Sequence, residues 1–347
     1  ICADYEIKAK NASLEATGHG FKIIKEKEGV TVDYDKTVEQ LYTYVTEKWN
    51  KKANIKLTAT TTVSKPKYTT EDCEKVSNEP MGSYTTEFSV GSSYANRNLN
   101  IQNGAKLING AVVYPGEQYS CNENLYPWTE DNGWHPAGTY VDGGVQDSLG
   151  GGICQVSSTL YNALLRAEIK VVKRFPHSMA VGYVPLSADA ALAGDYKDLV
   201  FENDTDAPIY VQGIYNSGGS ITFNIYGHDT RKAGHSVKYE SKTVKTTPVK
   251  TQTKKDSSKP VGYSEVESSG HVGYVAELWK ITYENGKQVS KELIHTSTYA
   301  MSPTIVVKGT KKASTTTKKD DSDKDDKKSS EKTTKKSTSS KKSKKSE

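Results

Sequence analysis

The run Leu149-Gly150-Gly151-Gly152-Ile153-Cys154-Gln155-Val156-Ser157-Ser158-Thr159-Leu160-Tyr161 constrains this chain more than any other stretch. Three successive glycines open backbone conformations closed to other residues and let a neighbouring chain segment or a ligand approach closely. From Ile153 to Val172 neither Gly nor Pro interrupts, and Ile153, Val156, Leu160, Leu164 and the stem of Arg166 recur at helical spacing. A tight bend therefore feeds straight into a helix with one apolar face. Cys154 falls at or beside the N-terminus of that helix, where unpaired N–H groups and the helix dipole favour the thiolate. Such a bend can present a nucleophile. A buried structural thiol, or one half of a disulfide, is the competing reading of the same residue.

A chain of 347 residues allows two or three domains. Its hydrophobic content, 34%, is low for one globular body, and the deficit is uneven. From Lys311 onward almost every residue is Lys, Ser, Thr or Asp, so this segment cannot bury enough apolar surface to offset the entropy of ordering. It holds 14 Lys against 7 acidic residues; the whole chain is +5, which leaves residues 1–310 at −2. The folded part carries no basic face interleaved with aromatics, which argues against nucleic acid. The tail suits loose contact with an anionic polymer or surface. No run reaches the length of a membrane helix, so membrane contact is expected only through a removed signal or an anchor segment. The four cysteines, Cys2, Cys73, Cys121 and Cys154, allow three disulfide pairings, which an extracellular setting would permit.

The pattern predicts an α+β, multidomain chain. Residues 1–80 read as a small α+β unit. Gly29–Asp33 and Ile55–Thr60 alternate like strands, a helix from Thr37 to Trp49 places Val38, Leu41, Tyr42, Val45 and Trp49 on one face, and Pro66–Pro80 reads as loop. Residues 84–229 form the densest part. Strands are predicted near Ser83–Phe88, Ala111–Tyr114, Leu199–Phe201, Ile209–Val211 and Ile221–Tyr226, and a helix within Ala95–Ile108. Residues 232–309 read as an extended all-β module with little core, and Glu284-Asn285-Gly286-Lys287 is a strong hairpin signal. Residues 310–347 are the polar tail, expected to be disordered.

Several motifs in order resemble the VanW family: Asn98-Leu99-Asn100-Ile101, Ile108-Asn109-Gly110, Tyr114-Pro115-Gly116-Glu117-Gln118-Tyr119-Ser120, Gly150 to Ala163, Arg174-Phe175-Pro176-His177-Ser178, Asp189-Ala190 and Asp198-Leu199. Residues 1–80 resemble the peptidoglycan-binding domain that often precedes VanW. Residues 232–309 resemble the five-glycine (G5) module of cell-wall proteins, with Gly262, Gly270, Gly273, Gly286 and Gly309 as its glycines and the polar run Thr251–Lys259 interrupting its first strand. The resemblance implies an extracellular, cell-wall-associated protein, mainly of Gram-positive bacteria, that binds peptidoglycan or its N-acetylglucosamine-containing glycan, with a role in envelope maintenance or glycopeptide resistance. Its partners would be peptidoglycan or another anionic wall polymer. The chain departs from the family at Cys121, where an apolar residue is expected, and at Ser187-Ala188, which replaces a glycine. The first departure opens a Cys121–Cys154 disulfide.

A thiol nucleophile needs a base, and the base an orienting group. His177 is the base candidate, with Asp198 and then Asp189 as candidate orienters. Cys154, His177 and Asp198 would then make a cysteine-dependent amidase, peptidase or transpeptidase acting on peptidoglycan peptides. Gly151, Gly152, Gln155, Ser157 and Arg174 are candidate ligand contacts, Arg174 as a bidentate partner for a stem-peptide carboxylate. The other histidines lack metal-ligand spacing and the glycines lack a P-loop Lys-Ser/Thr, so neither metal nor cofactor is expected.

Overall fold

The computed structural model describes residues 6–18, 20–52, 56–141 and 144–312. Cys2 and the tail beyond residue 312 lie outside them, as do the pairing and the disorder expected there. The fold is α+β, with several small sheets rather than one dominant sheet.

The N-terminal part has strands β1 (Ser13–Thr17), β2 (Gly20–Ile24) and β3 (Gly29–Val32), helix α1 (Tyr34–Thr43), strand β4 (Thr61–Ser64) and helix α2 (Thr70–Glu74). The α1 cap is Asp33, whose carboxylate accepts the Lys36 N–H, and a π-helical turn, Tyr44–Lys48, extends it. The strand expected at 55–60 forms a few residues later, at β4, and α2 replaces part of the expected Pro66–Pro80 loop. The apolar stripe of α1 forms but is not covered: Val38, Leu41, Tyr42 and Val45 stay exposed. The neighbouring β3–β4 ladder, four residue pairs long, is too small to bury it.

The central part contains β5 (Gly82–Glu87), α3 (Ala95–Ile108), β6 (Ala111–Val113), β7 (Gln118–Ser120), α4 (Cys121–Leu125), β8 (Pro136–Val141), β9 (Gly144–Leu149), α5 (Ile153–Ala167), β10 (Lys170–Lys173), β11 (Val200–Glu202), β12 (Ile209–Asn216) and β13 (Ser220–Tyr226). One antiparallel sheet runs β5-β13-β12-β6 and a second β10-β11-β7, while β8 and β9 form a hairpin. Helices α3 and α5 pack on the four-stranded sheet. Val156, Leu160 and Leu164 are fully buried beside Ile101, Ile108, Ile221 and Phe223, each aliphatic contributing about 1.5–3 kcal/mol. The expected buried face of α5 is therefore the centre of the core.

The C-terminal part is all β: β14 (His235–Thr247), β15 (Thr251–Pro260), β16 (Ser264–Ser268), β17 (Gly273–Glu284), β18 (Lys287–Tyr299) and β19 (Thr304–Lys311). β14-β17-β18 is antiparallel; β15 pairs in parallel with β19, which also pairs with β16. The hairpin at Asn285-Gly286 has φ of 50° and 76°, the left-handed pair of a type I′ turn. The polar run Thr251–Lys259 is a strand of its own rather than a break. No helix among the described residues is long and apolar enough to cross a membrane.

Candidate active site

The glycine bend does its work within the chain. Gly152 caps α5 at φ 110°, a conformation that disfavours any side chain. Gly151 packs so closely on the β8–β9 hairpin that a Cβ there would lie 2.6 Å from the Ala137 carbonyl. Asn100 fixes the bend by donating to the Gly151 and His135 carbonyls. The close approach foreseen for a ligand at Gly151 is thus taken by Ala137, and Gly151 stands back from the cleft.

Cys154 is the second residue of α5 and a free thiol, as is the fully buried Cys121. No disulfide joins them. The backbone of Leu192 brackets the sulfur, with N–H and carbonyl each at 3.4 Å. His177 sits in the loop after β10, close enough to the sulfur for each to shift the other's titration. Its Nδ1 lies 2.6 Å from Asp189 Oδ2, the oxygen that also accepts the His177 N–H at 2.7 Å. Nδ1 is thereby taken, which leaves Nε2 for the sulfur and for the Tyr183 hydroxyl at 3.3 Å. Asp189 is 1% exposed. Its other oxygen accepts from Arg174 at 2.8 Å and from the Tyr299 hydroxyl at 2.5 Å.

These neighbours set the charges. Burial alone pushes the Cys154 thiol up, but the His177 ring and its positive charge, with the Leu192 N–H, outweigh it and leave the thiol below its ordinary value. Burial pulls His177 down, yet the Asp189 hydrogen bond and the sulfur hold it up, at about 9. Asp189 would be raised by burial; instead the His177 hydrogen bond and the charge of Arg174 keep it far below the carboxylate range. The arrangement favours thiolate, imidazolium and carboxylate together.

Cys154 and His177 open onto a cleft of about 760 Å³, whose walls include Arg97, Trp128, Gly152, Gln155, Tyr183, Tyr196 and Lys197. No Asp or Glu lines it among the described residues. Trp128 Nε1 is buried without a hydrogen-bond partner among the described residues.

The remaining expected residues fall elsewhere. Asp198 does not reach His177: its carboxylate accepts from Ser120 Oγ at 2.6 Å and the Asn122 N–H at 2.9 Å, holding the start of α4. The aspartate on His177 is Asp189. Arg174 is buried and committed to Asp189, the Ser187 carbonyl and Ser297, so it holds the aspartate rather than facing the cleft. Ser157 is fully buried, donating to the Ala190 carbonyl. Gln155 borders the cleft, but its amide donates to Thr86 and the Glu87 carbonyl and accepts from Arg97. Tyr183, Leu192 and Tyr299 had no local signal in the sequence; the Tyr299–Asp189 contact spans 110 residues.

Three family models match successive parts of the chain. The model "VanW like protein" matches residues 96–226, which hold Cys154, His177 and Asp189. The model "G5 domain" matches residues 238–311, and "Putative peptidoglycan binding domain" matches residues 1–54. Residues 96–226 are similar to the VanW family. Uncharacterized protein YoaR of Bacillus subtilis (strain 168) is 37% identical over 164 residues, 47% of this chain and 53% of that one. Vancomycin B-type resistance protein VanW of Enterococcus faecalis is 28% identical over 116 residues, 32% and 42% of the two chains. The chain thus spans about half the length of these relatives. Among solved structures, an IgA1 protease G5 domain is similar at 30% identity, covering 24% of this chain and 96% of that one with a TM-score of 0.18. The domains flanking the VanW-like core associate the chain with the cell wall.

Proposed function

We propose that this chain is a wall-bound thiol enzyme that cleaves or transfers acyl groups on peptidoglycan peptides, with Cys154 as nucleophile, His177 as acid and base, and Asp189 as the group orienting His177. The observation that carries this reading is the run Cys154–His177–Asp189, in which Asp189 hydrogen-bonds His177 and His177 acts on the Cys154 sulfur, opening from a helix start onto a cleft. The Cys154 thiolate attacks an amide carbonyl; His177 gives its proton to the departing amine, leaving a thioester. Water, or the amine of a second peptide, then attacks the thioester, His177 takes the proton, and the thiolate leaves. Water completes hydrolysis and an amine completes transpeptidation. In the first turn of α5 the Ile153 and Gln155 N–H groups are taken by the Gly150 and Gly152 carbonyls, and the Cys154 N–H between them would stabilise the oxyanion.

The cleft supports a peptide carrying a carboxylate. Arg97 and Lys197 line it, no Asp or Glu among the described residues lines it, and the Trp128 N–H, without a hydrogen-bond partner among them, offers a donor to a peptide carbonyl. The flanking domains would hold the site on peptidoglycan or its N-acetylglucosamine-containing glycan, in a role in envelope maintenance or glycopeptide resistance; the enterococcal relative's name, a vancomycin B-type resistance protein, supports the latter. Purified wild type, Cys154→Ala and His177→Ala are to be incubated with muropeptides and the products resolved by mass spectrometry. New or shortened peptides with wild type alone are expected. Identical profiles for all three would remove the enzyme and leave the second reading, favoured by the flanking matches: a wall-binding protein without catalysis.

A further inference from the structure

The C-terminal β module is more than a tether, because it reaches into the thiol site. His295, Ser297 and Tyr299 alternate along β18 and so share one strand face, while Thr296 and Thr298 between them are exposed. All three engage the segment that carries Asp189. Tyr299 donates to Asp189 Oδ1 at 2.5 Å and accepts the Ser187 N–H at 2.6 Å. Ser297 Oγ lies 2.8 Å from Ser187 Oγ and accepts from Arg174 at 2.9 Å. His295 Nε2 is 2.7 Å from the Ser187 carbonyl; burial lowers this imidazole to about 4, so it is neutral and donates through Nε2–H. One residue further on, the Ala300 N–H donates to the carbonyl of Ser178, beside His177.

Ser187 needs this support. Its φ is 69°, the left-handed region that favours glycine, at the dipeptide where the chain departs from the family's glycine. A non-glycine residue persists there only when its surroundings hold it, at a cost of about 1–3 kcal/mol. Here three of its partners come from β18.

We infer that the C-terminal module is a structural half of the thiol site, with Tyr299 as a positioning residue that fixes Asp189 against His177 through a clamp on Ser187. The inference rests on the thiol reading given above. Without the Tyr299 hydroxyl, Asp189 and Ser187 each lose a bond, and the carboxylate, left to Arg174 and the His177 N–H, is held less firmly against the His177 ring. The imidazolium is then held less firmly, and the thiolate it stabilises forms at higher pH.

The test uses the full chain and three proteins: wild type, Tyr299→Phe and Tyr239→Phe. Tyr239, on β14, donates to the Leu165 carbonyl at 2.7 Å, so it ties the same module to α5 without touching the triad. The rate of iodoacetamide alkylation at Cys154 is followed from pH 5 to 9.5 by mass spectrometry. Wild type should react well below the range of a free thiol, near 8.5. Tyr299→Phe should move the acid limb up by about one pH unit, an approximately tenfold slower reaction at pH 6. Tyr239→Phe should follow wild type. Superimposable profiles for wild type and Tyr299→Phe would overturn the inference while leaving the thiol reading intact; a wild-type profile like that of a free thiol would overturn the thiol reading itself. Should Tyr299→Phe fail to fold, Ser297→Ala is read by the same criteria.

Discussion

Two aspartates compete for one role in this chain, and the structure separates them by what each carboxylate accepts. Asp189 takes the His177 ring and main-chain N–H together with Arg174 and Tyr299; Asp198 takes Ser120 and the start of α4. Asp189→Asn should therefore lower kcat on wall peptides by about 10²–10⁴-fold, the range for losing an oriented general base. Asp198→Asn should cost about 1 kcal/mol of stability, as for a weakened helix cap, and leave the alkylation profile of Cys154 unchanged. Equal losses of activity in the two variants would reverse the assignment. His177 adds a stability effect of defined sign. Its pKa is raised in the fold to about 9, so its contribution is fully present below about 6.5 and is lost as pH rises through about 9. His177→Ala should abolish this alkaline loss in thermal melts from pH 6 to 10, and should slow Cys154 alkylation at pH 7, since burial then acts on the sulfur without its counter-charge. The sequence marked Cys154 and His177 because a helix start and a Pro-His-Ser loop are local signals. It put Asp198 before Asp189, because no local pattern tells which carboxylate meets the imidazole and only tertiary placement distinguishes them.

Among the elements, those with a strong period and a buried destination were legible. The α5 stripe, the strands β5, β12 and β13, and the Asn285-Gly286 hairpin lie where their patterns put them. The α1 stripe has the same period without a buried destination, because amphipathicity reports what a helix can bury and not whether a partner is there. The run 251–259 lacks an apolar alternation, yet it forms β15 because β19 supplies a parallel partner. Sequence reading undervalues such edge strands, whose stability lies in ladder hydrogen bonds. The glycine bend was legible as a bend, but its reason was not: Ala137 of β8 occupies the space beside Gly151. Gly151→Ala should therefore push the β8–β9 hairpin away and destabilise the chain by about 1–3 kcal/mol, the usual cost of overpacking. A melt unchanged from wild type would show that the hairpin yields freely at this point. Because Gly138, Thr139, Ser148 and Leu149 of the same hairpin line the cleft, the variant should also raise KM more than it lowers kcat.

Across the whole molecule, charge and binding surfaces are divided among parts. The segment from Lys311 carries 14 Lys against 7 acidic residues, whereas residues 1–310 are close to neutral. Contacts of the flanking domains with uncharged glycan should depend less on salt than those of the tail, although residues 232–309 themselves carry 12 Lys against 7 acidic residues. Contacts of the tail with anionic polymer should fade as salt rises, since the screening length falls from about 10 Å at 0.1 M to about 3 Å at 1 M. Linked weak contacts multiply through effective concentration, so losing one part should weaken retention without abolishing it. Sedimentation with purified sacculi, with and without teichoic acid, separates these contributions. At 50 mM salt the full chain should bind teichoic-acid-bearing sacculi more tightly than stripped ones. A chain ending at residue 312 should bind both alike, and at 0.5 M salt the full chain should match it. If stripped sacculi retain neither protein, the folded modules do not hold the wall and the tail alone accounts for attachment. If the shortened chain still prefers teichoic acid, the folded part itself recognises the polymer, and the cationic cleft around Arg97 and Lys197 becomes the place to test, by competition between soluble teichoic acid and alkylation of Cys154.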